Sequence, residues 1–220
     1  MSPTIKIFVI AAIFGGASIC FAPASNAQTK SNGQNKIAAP KQPAMPASHD
    51  HKHPEKKEIP VAEKYFTDVA LLDQNGKSLR FYNDVLKGKI VVINAMFTSC
   101  TNVCPLMNRN FEKIQEALGE RLGKNVFLVS LSVDPTVDTP ERLKEYAKRF
   151  KARPGWLFLT GKKENVDWAL YKLGQYAKTP NDHKTIILIG NEATGVWKKA
   201  LGLAQASELM KLVEEVIAAK

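Results

Sequence analysis

Between residues 59 and 220 the apolar residues fall into short continuous runs and spaced stripes, separated by polar turns. Lys89 to Phe97 (KIVVINAMF) is a nearly continuous apolar run, the pattern of a strand covered on both faces. Met107, Phe111, Ile114, Leu118 and Leu122 then recur at steps of three and four, which predicts an amphipathic helix. Val126 to Val133 (VFLVSLSV) predicts a second buried strand. Thr139-Pro140-Glu141 supplies the N-cap, first-turn proline and first-turn acid of another helix. A short strand from Trp156 to Thr160 precedes a helix from about Glu164 to Leu173. Ile186 to Ile189 and Val196 to Lys198 flank Asn191-Glu192-Ala193-Thr194-Gly195, a hairpin signal. Leu209, Leu212, Val213 and Val216 give the last helix its apolar face. This order predicts an α/β domain of three layers with a mostly parallel central sheet.

The chain before this domain has a different pattern. Met1 to Ala27 has a short basic start at Lys6, an apolar run from Ile7 to about Ala22, and small residues at Ser25-Asn26-Ala27. That is the layout of an export signal, either cleaved or kept as an N-terminal anchor. Cys20 leaves with a cleaved signal, and Ile19 stands where a lipoprotein signal would have a small residue. From Gln28 to about Glu58 the composition is Ala, Pro, Lys, Gln, Ser and Asn with no aromatic residue, which predicts a flexible tether. His49, His51 and His53 lie in it at alternate positions, either as a metal-binding tract or as part of a solvated linker.

Composition narrows the function. The chain has 220 residues, 45% hydrophobic and 24% charged, which excludes a polytopic membrane protein and a wholly disordered chain. Its net charge of +10 would suit nucleic acid, an anionic membrane surface or an acidic protein. Export argues against nucleic acid and leaves the membrane or a protein. Lys162-Lys163 and Lys198-Lys199 are the obvious basic pairs, and isolated pairs of this kind are ordinarily solvated charges. With Cys20 removed, the mature chain has two cysteines in an oxidising compartment.

Those two cysteines, Cys100 and Cys104, lie where the first buried strand runs into a helix: Phe97-Thr98-Ser99-Cys100-Thr101-Asn102-Val103-Cys104-Pro105. Pro105 suits the first helical position. Cys104 is then expected at the helix N-terminus, where the dipole favours the thiolate. Two convergent thiols can form a reversible disulfide or hold a soft metal such as Cu(I). Three residues separate them where thioredoxin-type redox pairs have two, a spacing that suits chelation at least as well as a tight disulfide. His183 is the single histidine after the tether and lies just before the strand at Thr185–Ile189. Two thiolates and one imidazole suit Cu(I) and, with an added oxygen, Cu(II), whereas zinc wants a fourth ligand. Asp134 ends the second strand on the same side, where it either supports the site through a hydrogen bond or starts the next turn.

Phe97-Thr98-x-Cys100-x-x-Val103-Cys104-Pro105, then Ser132-Val133-Asp134-Pro135-x-x-Asp138-Thr139, then Asp182-His183 before an apolar strand, together resemble the Sco/SenC family of copper chaperones from about Ala62 onward. The resemblance implies a thioredoxin-like fold and copper held by Cys100, Cys104 and His183, with Cys100 and Cys104 paired in the oxidised form. It also implies a place at the periplasm or the outer face of the cytoplasmic membrane. The partner it implies is a copper-accepting membrane oxidase subunit, as in the binuclear centre of cytochrome c oxidase, or another copper chaperone. The chain departs from the family at Ser99, where histidine is common, and at Thr101-Asn102, where proline and an acid are common. Three functions therefore stand side by side. A copper-binding assembly protein uses all three residues. A cell-envelope thiol–disulfide oxidoreductase uses Cys100 to attack and Cys104 to resolve. A thiol peroxidase rests on fold analogy alone.

Overall fold

The computed structural model describes residues 61–219. The expected signal (residues 1–27) and tether (28–58), with Cys20, His49, His51 and His53, lie outside the described residues.

The described chain begins with helix α1 (Val61–Phe66), followed by strands β1 (Ala70–Asp73) and β2 (Ser78–Arg80) and a π-helical turn at Phe81–Leu86. Strand β3 (Ile90–Met96) leads through the cysteine loop into α2 (Val103–Leu118), and β4 (Val126–Ser132) into α3 (Pro140–Lys148). Strand β5 (Trp156–Thr160) is followed by α4 (Lys163–Lys172). The hairpin β6 (Ile186–Asn191) and β7 (Val196–Leu201) and the helix α5 (Ala206–Ala218) complete the domain. Thr139 caps α3 as its sequence predicts, its hydroxyl accepting from the Arg142 N–H at 3.3 Å.

The seven strands form one sheet in the order β2-β1-β5-β4-β3-β6-β7. The three-layer α/β expectation holds, but the mostly parallel one does not. Only β3 with β4 and β4 with β5 run parallel, and the other four neighbouring pairs are antiparallel. An apolar run indicates burial on both faces but carries no information about the direction of the neighbouring strand.

Alternate residues of the central strands separate the two cores. Val92 and Met96 of β3, Val126 and Leu128 of β4, and Trp156 and Phe158 of β5 pack with α2, α3 and α5. Val91, Ile93 and Ala95, with Val129, Leu131 and Leu159, face α1, α4 and the π-helical turn. Leu122, expected to continue the α2 stripe, lies beyond the helix but still joins the first core.

The register brings the functional loops together. β3 and β4 pair in parallel from Ile90↔Val126 to Met96↔Ser132, so both end at the same edge. β6 pairs antiparallel with β3, with Asn94 opposite Ile187, so β6 begins where β3 ends. A parallel β6 would have put His183 at the far edge; the reversed strand delivers it to the cysteine loop.

Candidate metal centre

A single buried carboxylate anchors the end of β3. Asp138 accepts the Thr98 N–H at 3.1 Å, the Thr98 hydroxyl at 2.5 Å and the Ser132 hydroxyl at 2.6 Å, and is fully buried. It therefore ties the start of the cysteine loop to the end of β4. The sequence left Asp134 either in that supporting role or starting the next turn, and the structure gives it to the turn. Its carboxylate accepts from the Thr136 hydroxyl at 2.8 Å, and its carbonyl accepts the N–H groups of Val137 and Asp138. Both acids sit in a turn-forming segment, and sequence alone gives no sign of which one folds inward.

The loop then crosses to α2. Asn102 occupies the N-cap position without a side-chain cap, Val103 is the first helical residue and Pro105 the third. Proline thus lies two places later than expected, still inside the first turn, where its missing N–H costs no intrahelical bond. In place of an ordinary cap, the half-exposed Cys100 sulfur takes the helix N–H groups, with Cys104 N–H at 3.5 Å. Burial works against a Cys100 thiolate. Hydrogen bonds from the Cys104 thiol and the N–H groups of Cys104, Asn102 and Val103 outweigh it and lower the Cys100 pKa. Cys104 is fully buried on the helix itself. Burial, reinforced by its bond with Cys100, pushes its thiol up from 9.0 to about 12. The expectation that the dipole would activate Cys104 is therefore corrected: its benefit falls on Cys100.

His183 follows a short 3-10 turn, Pro180–Asp182, in which the Thr179 hydroxyl donates to Asp182 at 2.8 Å. Its Nδ1 lies 2.7 Å from the Pro180 carbonyl. A carbonyl only accepts, so Nδ1 carries a proton, and Nε2 is the ring nitrogen turned towards the cysteines. That Nε2 lies 3.9 Å from the Cys104 sulfur, and the Phe97 ring meets the imidazole edge-on at 5.6 Å. The structure thus sets Cys104 against both Cys100 and His183, with both thiols free.

Among the described residues no three His, Cys, Asp or Glu side chains already stand together as a metal cage. The donor set nonetheless fits copper. Two soft sulfurs and one imidazole nitrogen are its preferred ligands, and a 3.9 Å sulfur–nitrogen separation is what two bonds of about 2.0–2.3 Å can span. Lys163 pairs with Asp167 at 2.6 Å and Lys198 pairs with Glu215, so part of the basic excess is matched locally. Among the described residues no helix is long and apolar enough to cross a membrane.

A family model described as SCO1/SenC matches residues 58–218. The SCO2-like protein of Rickettsia conorii is 37% identical over 99 residues, covering 45% of this chain and 46% of that protein. The chain spans about half the length of the curated relatives it matches. A solved SCO1/SenC family lipoprotein from Bacillus anthracis superposes with a TM-score of 0.58 at 29% identity, over 68% of this chain and 92% of that one. ScoI of Bradyrhizobium japonicum, solved with copper bound, has a TM-score of 0.56 at 25% identity, covering 67% and 96%.

Proposed function

The chain belongs to the SCO1/SenC family, and we propose that it is an exported copper-binding protein that holds the ion through Cys100, Cys104 and His183. It delivers that copper to, or reduces the thiols of, a copper site such as the binuclear centre of cytochrome c oxidase. The observation that carries this reading is the orientation of the His183 ring: the Pro180 carbonyl holds a proton on Nδ1, which leaves Nε2 facing the Cys104 sulfur.

Each ligand has a distinct part in transfer. Cys100 and His183 are the half-exposed donors, so an incoming thiol or imidazole of the acceptor meets these first and exchange proceeds stepwise from there. Cys104 is fully buried and releases last. Oxidation of the two thiols to a disulfide removes both soft donors, so the redox state of the pair gates loading. The partner is a copper-accepting oxidase subunit or a second copper chaperone at the outer face of the membrane.

One observation favours a second reading, a thiol–disulfide oxidoreductase. Cys100 is half-exposed with a lowered pKa, and Cys104 is buried with a raised one, the asymmetry of an attacking and a resolving thiol.

A Cu(I) competition titration of the reduced chain, run beside Cys100→Ser and His183→Ala, separates the two. The copper reading expects one-to-one binding, lost in Cys100→Ser and weakened by about tenfold or more in His183→Ala. Binding indifferent to His183, together with disulfide turnover that survives His183→Ala, would transfer the assignment to the oxidoreductase.

A further inference from the structure

At the root of the cysteine loop, α3 and the loop enclose a cavity of about 250 Å³, lined by Thr98, Glu141, Arg142, Glu145, Tyr146 and Arg149. Two of its four charged residues are already engaged. Glu141 turns back on the helix start, where its own N–H and the Thr139 hydroxyl hold the carboxylate. Glu145 pairs with Lys148 at 2.6 Å. The two arginines are not matched in this way. Arg142 and Arg149 are exposed, and among the described residues neither guanidinium has an ion-pair or hydrogen-bond partner. Arg149 lies over the buried Tyr146 ring, its guanidinium carbon 5.6 Å from the ring centre.

The cavity adjoins the dithiol through Thr98. Asp138 accepts both the N–H and the hydroxyl of Thr98, so this wall is fixed. Two residues of chain span at most about 7 Å, and the Cys100 N–H folds back onto the Phe97 carbonyl at 3.2 Å. A short peptide with one end seated between the arginines can therefore reach the half-exposed Cys100 sulfur with the other. The charges select the ligand. A planar guanidinium takes a carboxylate through two parallel N–H bonds. Two arginines against two glutamates leave the lining with no net charge, which gives a phosphate dianion or a charged membrane surface no advantage. A single carboxylate can enter between the guanidiniums while both glutamates stay engaged elsewhere.

We propose that this cavity is a docking point for a carboxylate side chain of the partner protein, received by Arg142 and Arg149, and that it sets the partner's thiol or imidazole beside Cys100. The inference rests on the reading of Cys100 as a group that the partner reaches, and it deepens that reading by naming what the partner carries: an aspartate or glutamate a few residues from its thiol or imidazole. The net charge of +10 draws any acidic surface towards the chain. The cavity fixes where one acid sits, and so which partner residue meets the sulfur.

The test uses two peptides with blocked ends, Gly-Glu-Gly-Gly-Cys and Gly-Gln-Gly-Gly-Cys, each as its disulfide-linked dimer. Each is added at low salt to the reduced full chain. The Cys100 thiolate attacks one sulfur of the dimer, forms a disulfide with one peptide and releases the other as its thiolate. The fraction of Cys100 oxidised is followed by peptide mass mapping after an acid quench. The Glu peptide is expected to oxidise the wild type about three- to fivefold faster than the Gln peptide, the size of effect that an exposed ion pair gives. Arg142→Gln with Arg149→Gln should bring that ratio close to one. Either substitution alone should lower it part of the way, which keeps the test open if the double variant folds poorly. Lys144→Gln with Lys151→Gln is the control: it removes the same charge from the same segment, but these lysines line a separate cavity with Asp73. Its ratio should stay at the wild-type value. A wild-type ratio of one, or equal loss of the ratio in both double variants, would overturn the proposal, the second result in favour of general steering by net charge. If the wild type fails to bind Cu(I), the copper reading falls, and the peptide ratio still decides the role of the cavity.

Discussion

Cys100 and Cys104 share one helix end and ionise in opposite directions, because the sulfur that accepts the N–H groups lies outside the helix and the other lies buried within it. The consequence is measurable in the reduced, metal-free chain. Iodoacetamide should modify Cys100 first, with a rate that levels off at a lower pH than the usual thiol value of 9.0, while Cys104 stays unmodified until strongly alkaline pH. Peptide mass mapping across a pH series checks this, and equal labelling of the two would refute the burial argument. The same shift has a stability sign. The folded Cys104 pKa is raised, so the unfolded chain releases the proton first. Stability contributed below about pH 9 is then lost as pH climbs towards about 12, and the lowered Cys100 pKa works in the opposite sense. The sequence disclosed the three residues themselves, since two thiols on a strand-to-helix loop and a single histidine are visible as letters. It concealed which thiol is activated, and it concealed the part played by Asp138. That part depends on the direction of a side chain on a turn.

At the scale of elements, long apolar runs were readable and short ones were not. β3, β4 and β5 emerged from the apolar pattern, and α3 from its cap. β1 has four residues and β2 three, too few for alternation to register, although Asn75-Gly76 marks the turn between them. The β6–β7 hairpin was legible, but its closest contact was not. Gly190 pairs directly with Trp197, and a Cβ there would come within 2.2 Å of the indole ring. The ring in turn packs on Phe66 of α1 at 5.0 Å. The glycine is thus required by close packing of an aromatic side chain over ordinary extended backbone. Gly190→Ala must displace Trp197 and loosen α1, at a cost of about 1–3 kcal/mol. A lower denaturation midpoint with Cu(I) affinity retained is the expected result, because Gly190 sits near the end of β6 away from His183. An unchanged midpoint would mean that the hairpin relaxes freely around the ring.

Across the whole molecule, the three proposed ligands come from separate parts of the fold: the loop after β3, the first turn of α2, and the segment entering β6. The parallel β3–β4 pair and the antiparallel β3–β6 pair bring the segments that carry them to one edge. A ligand bound only by the folded chain adds stability by mass action. Free Cu(I) held a thousandfold above its Kd contributes about 4 kcal/mol. For a domain of this length, that raises the Tm by roughly 10 °C. An ion held by all three proposed ligands would join three elements at a single edge, so hydrogen-exchange protection should rise at residues 97–105 and 180–187. The strand ends at the opposite edge, around Lys89 and Asn191, should stay as they were. Scanning calorimetry and exchange mass spectrometry on the reduced chain, with and without Cu(I), test the two statements together. His183→Ala should lose most of the thermal gain and the added protection at 180–187, keeping only what a two-sulfur site provides. Protection spread evenly over the sheet would instead mean that the ion stabilises the domain without bridging these three segments, and that His183 is not among its ligands.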